Sequence, residues 1–135
     1  MTPKAIGGML LAVIVALASI WIWAESRTSA VDQERRRFEQ RADYEAARAE
    51  TLDGRVSLFL SNFGDASKHF EGARVALEHL QMMLREVGQA ERAGRIEIVL
   101  SNVKDAQRLA AQLDANAQNA AAAALQALTA VGPPE

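Results

Sequence analysis

From Val56 to Val87 the apolar side chains step by three and four residues without a miss: Val56, Phe59, Phe63, Ala66, Phe70, Ala73, Leu77, Leu80, Leu84 and Val87. Heptad spacing of this kind puts them on one side of an α-helix and predicts packing against another helix. A second stripe runs through Ile96, Val99, Val103, Ala106, Ala110, Leu113, Ala117, Ala120, Ala124, Ala127 and Val131. The two stripes are out of register and Gly88 and Gly94 bracket the gap, so a turn is expected near 88–95. Each arm covers about 33 to 36 residues, or roughly 50 Å, and the matched lengths predict an antiparallel, coiled-coil-like hairpin over 55–131. Gly132, Pro133 and Pro134 stop the second arm and leave 132–135 as a tail. Gly54 and Gly64 each weaken a helix by roughly 1 kcal/mol relative to alanine, and local kinks are expected there.

The two seams are unequal. The first holds three phenylalanines, whereas the second turns to alanine from Ala106 onward, so packing strength is expected to fade toward the C-terminal end. A hairpin alone also leaves Leu60, Met83, Leu100, Leu109 and Leu125 uncovered, which calls for a third helix or for oligomerisation. Residues 25–54 supply the first option, as a helix over 30–51 with Val31, Phe38 and Ala42 as its apolar marks. Ser29 with Asp32 three residues on makes a partial capping box at its start. The same stretch reads equally as a charged, solvated stalk. Ile96 to Leu100 is rich in β-branched residues, but the spacing around it is helical. The expected fold class is therefore all-α.

At the other end, Ala5 to Ala24 is an uncharged apolar run between Lys4 and Glu25, with Trp21 and Trp23 near its far edge. Twenty helical residues cover roughly 30 Å, the thickness of the hydrocarbon core, so residues 5–24 are expected to form a single-pass transmembrane helix in the lipid bilayer. Ala16-Leu17-Ala18 also fits a signal-peptidase site. Cleavage there would leave an exposed apolar end, which favours an uncleaved signal anchor. Gly8, Ala12 and Ala16 fall at the four-residue spacing that lets membrane helices approach closely. Arg27, Arg35, Arg36 and Arg37 after the run outnumber Lys4 before it and pull the C-terminal part toward the cytoplasm. A long translocated domain weakens that rule.

Composition excludes several classes. The chain of 135 residues has no cysteine, hence no disulfide, thiolate metal site or cysteine nucleophile. Its net charge of −2 is intermixed along the sequence, with no segregated basic face for nucleic acid. Outside the anchor there is room for one small domain, and the excess of arginine over lysine with abundant alanine suggests a bacterial source.

Few residues point to chemistry. His69 and His79 lie ten apart, and Asp65 with His69 at i, i+4 supplies only two of the ligands a zinc site needs. Ser101 and Lys104 match the Ser-x-x-Lys spacing of serine acylases, but the elements that complete such sites are absent. The glycines fit neither a dinucleotide fingerprint nor a phosphate loop. Phe59, Phe63 and Phe70 could line a groove for acyl chains, with core packing as the simpler reading. Arg35, Arg36 and Arg37 could touch anionic headgroups, although neighbouring glutamates favour a self-paired helix face. No catalytic, cofactor or metal residue is therefore assigned, and no enzyme is expected.

Residues 94–113, GRIEIVLSNVKDAQRLAAQL, resemble the helical segment of MCE/MlaD-type lipid-transport subunits, which also begin with one membrane helix. The β-domain of that family has no counterpart between Glu25 and Gly54. The resemblance implies a bacterial inner-membrane protein with its C-terminal part in the periplasm, acting as an accessory to envelope lipid or solute transport. Anchor and heptads together point instead to a non-enzymatic helical scaffold that associates with itself or with a partner coiled coil. A phage-type inner-membrane spanin shares the same plan of short anchor and helices.

Overall fold

A computed structural model describes the backbone of residues 3–134 and the side chains of residues 30–134. It is all-helical, with α1 Pro3–Phe59, α2 Phe63–Glu86, α3 Ala90–Ala111 and α4 Ala117–Val131. The chain divides into two units, residues 1–36 and 37–135. In the first unit the described side chains, among them Val31, are exposed. The anchor read at residues 5–24, with its cleavage site and small-residue stripe, lies outside the residues whose side chains are described. Among those residues no helix is long and apolar enough to cross a membrane.

In the second unit, the hairpin of two long arms gives way to four antiparallel helices. Each arm is interrupted once, at 60–62 and at 112–116. The interruptions share one geometry with the expected turn. Ser61 N–H donates to Leu58 O and Asn62 N–H to Ser57 O; Gly88 and Gln89 repeat this with Arg85 and Leu84, and Leu113 and Asp114 with Ala110 and Leu109. Each is a Schellman closure, which needs one residue in the left-handed region. Ser61 (φ 58°), Gly88 (φ 76°) and Leu113 (φ 57°) provide it. The bend near 88–95 is thus confined to Val87, Gly88 and Gln89, and Gly94 sits inside α3. After the first turn the Asn62 side chain accepts from Asp65 N–H and caps α2. Gly132 closes α4, as its sequence indicates.

The core follows the heptads where the helices continue. Ala66, Phe70, Ala73, Leu77, Leu80 and Leu84 of α2 form one buried core with Ile96, Val99, Val103, Ala106 and Ala110 of α3 and Ala117, Ala121, Ala124 and Leu128 of α4. Met83 and Leu100, left uncovered by a two-helix hairpin, are buried as well. Ile96 to Leu100 is helical. The stripe fails at its N-terminal end, because the turn at 60–62 resets the helical phase. Val56 and Phe59 are consequently exposed, and Leu113 is spent on a turn.

The helix α1 packs within this unit along Gln40, Tyr44, Ala47, Thr51, Gly54 and Leu58, all buried. The expected marks Phe38 and Ala42 point away from the core instead. The Tyr44 hydroxyl donates to Leu128 O of α4 at 3.2 Å, and burial raises its pKa above the usual phenol value. The Thr51 hydroxyl donates a hydrogen bond back to Ala47 O at 2.7 Å, so its burial leaves no orphan donor. At Gly54 the missing Cβ makes room for the Phe70 ring. Gln118 Nε2 of α4 donates to Arg55 O, while His69 and His79 of α2 reach Glu50 and Asp43 of α1. Therefore α1 lies beside both α2 and α4, and α3 beside the same two, in an up-down-up-down bundle.

Candidate interaction surface

The side chains capable of chemistry are consumed by the fold. His69 Nδ1 lies 2.8 Å from Glu50 Oε2, and His79 Nδ1 lies 2.6 Å from Asp43 Oδ2, so each histidine clasps α2 to α1. Asp65 meets Lys68 at 4.0 Å rather than His69. Among the described residues no group of three or more His, Cys, Asp or Glu could hold a metal ion. Ser101 is exposed on α3, while Lys104 Nζ contacts Glu78 Oε1 at 3.4 Å across to α2. Phe59 is exposed, Phe63 half-buried and Phe70 fully buried, so the three share no groove.

A polar ladder joins α2 and α3. Arg74 binds Glu71 and also Glu78 at 2.7 Å, while Gln107 Nε2 donates to Glu71 at 2.9 Å. The hydrogen bonds from Arg74 and then Gln107 favour the charged carboxylate and lower the Glu71 pKa to about 2. The Arg74 pKa is raised by the same partners.

One open cleft of about 880 Å³ lies where the start of α3 meets the segment after α4, with Arg41, Arg92 and Arg95 on its walls. Its positive charge is largely committed. Arg92 donates to Gly132 O at 2.8 Å and Pro133 O at 2.7 Å, fastening the tail, and Arg95 pairs with Glu91 at 2.6 Å.

The outer side of α1 carries a row of a different kind. Phe38, Ala42, Glu45, Ala49, Leu52, Val56 and Phe59 advance by four and three residues, the spacing of a heptad seam. Successive steps of this kind keep side chains on one helix face, here opposite the row Gln40 to Leu58. Every member is exposed: Phe38 by 73%, Leu52 by 41%, Val56 by 58% and Phe59 by 86%. Of this row, the heptad stripe of the sequence places Val56 and Phe59 on a buried face, and the structure turns both outward. The signal that separates the faces is the second row, 40, 44, 47, 51, 54, 58, which its small and polar members conceal.

No family model matches this chain, and neither does any curated protein or solved structure.

Proposed function

We propose that this chain is a non-enzymatic, membrane-anchored helical interaction protein that presents the outer row of α1 to a coiled-coil partner. One observation carries the reading. Within the bundle unit, α1 exposes the large apolar residues Phe38, Leu52, Val56 and Phe59, and buries only Tyr44 and Leu58 of comparable size. A helix that serves only to complete a bundle turns its larger apolar side chains inward, because their burial is worth about 1.5–3 kcal/mol each. The apolar run at residues 5–24 supports anchoring in a bacterial inner membrane, and the resemblance of residues 94–113 favours the periplasmic side for the bundle.

Two measurements test it. A photo-crosslinking amino acid at Leu52 in cells is expected to give adducts that the same probe at exposed Ser101 does not; equal yields would overturn the interaction surface. A single thiol introduced at exposed Thr129 is expected to react with a membrane-impermeant label in intact cells. Labelling only after lysis would place the bundle in the cytoplasm.

A further inference from the structure

We infer that the outer row of α1 is a seam for a second copy of this chain, lying parallel to the first. This deepens the interaction reading above and rests on it. In heptad terms Ala42, Ala49 and Val56 occupy one core position of the repeat, and Phe38, Glu45, Leu52 and Phe59 the other. The residues flanking such a seam decide orientation and partner. One flank is basic, with Arg41, Arg48 and Arg55; the other carries Glu39 and Asp53 with Ala46 between them.

Parallel apposition of two copies runs the basic flank of each along the acidic flank of the other and brings Arg48 opposite Asp53, twice by symmetry. Antiparallel apposition sets Arg41, Arg48 and Arg55 against themselves. Charge complementarity therefore selects a parallel second copy. Arg48 is available, since its contact with its own Glu45 is 3.8 Å long and half-exposed. Seam and flanks together engage 13 residues a side, short of the roughly 20–30 of a standard interface, so the association is modest. Two chains held in one bilayer meet at raised effective concentration, which compensates. Glu45 faces its own copy in the core of the seam. Such a polar layer lowers stability while holding the register.

The absence of cysteine makes the test direct. In the full chain, in membranes, Ala42→Cys, Ala49→Cys and Val56→Cys are each expected to form disulfide-linked dimers under mild oxidation, because in-register positions bring Cα atoms within about 7 Å. Thr129→Cys is expected to cross-link at least about tenfold more slowly. Adding Leu52→Glu is expected to raise the dimer dissociation constant by at least about tenfold with helicity unchanged, and Glu45→Leu to lower it by a similar factor. Cross-linking at one seam position alone would overturn the parallel arrangement. Cross-linking no faster than at Thr129 would overturn the second copy. If the chain is then a monomer whose Leu52 probe still forms adducts with another protein, the second copy fails and the interaction reading stands; if no adduct forms, both fail.

Discussion

A methyl group added at Gly54 would lie 2.5 Å from Cε1 of Phe70, a ring with no solvent exposure. Gly54→Ala is therefore expected to lower stability by about 1–3 kcal/mol through overpacking, despite a gain of up to about 1 kcal/mol in helix propensity. Gly94, inside α3 with nothing within 4 Å of an added Cβ, is the control. Gly94→Ala is expected to raise stability by about 0.5–1 kcal/mol, and urea denaturation of the two variants should move in opposite directions. Leu113 shows the converse strain. It is exposed by 70% and held at φ 57°, a region that costs a side-chain-bearing residue about 1–2 kcal/mol. Leu113→Gly should raise the urea midpoint, with a net gain of about 0.5–1 kcal/mol after glycine's own entropy cost.

Among the elements, the α2 and α3 pair was the most legible. The apolar positions from Phe70 to Leu84 and from Ile96 to Ala110 are periodic and uninterrupted, so the heptad spacing identified both the helices and their buried faces. Turn chemistry explains the misses. All three reversals are Schellman closures, but only the middle one carries glycine at the left-handed position, and only that one was anticipated. Ser61 and Leu113 give no local signal of a positive φ; the packing of the helices they join imposes it. The ladder between α2 and α3 has a pH signature. With the Glu71 pKa lowered to about 2 from an ordinary 4.5, its stabilising contribution is fully present above pH 4.5 and is lost as the pH falls through about 2. The urea midpoint of Glu71→Gln should accordingly fall less than that of the parent chain across this window.

At the scale of the molecule, the unit over residues 37–135 contains every core residue from Tyr44 to Leu128. Residues 37–134 produced alone are expected to unfold in one cooperative urea transition that far-ultraviolet dichroism and Tyr44 fluorescence report together. Separate transitions by the two probes would show that these residues do not fold as one cooperative unit. The two faces of α1 belong to this scale as well. An isolated helix with opposed apolar rows gives no indication of which one turns inward; the choice depends on which row leaves room for Phe70, and Gly54 does.

Heptad spacing by itself determined that this chain is helical, that α2 and α3 pack along Ala66 to Leu84 and Ile96 to Ala110, and that Gly88 and Gly132 end helices. These features rest on local periodicity and on glycine, which act within a few residues. Tertiary structure alone decided that there are four helices in the described chain, that Ser61 and Leu113 turn it, and that α1 buries Gln40, Tyr44 and Thr51 while exposing Phe38, Leu52 and Val56. The physical reason is close packing. Space beside Phe70 and the hydrogen bond from Tyr44 to Leu128 outweigh the hydrophobicity of the opposite face, and neither can be read along the chain.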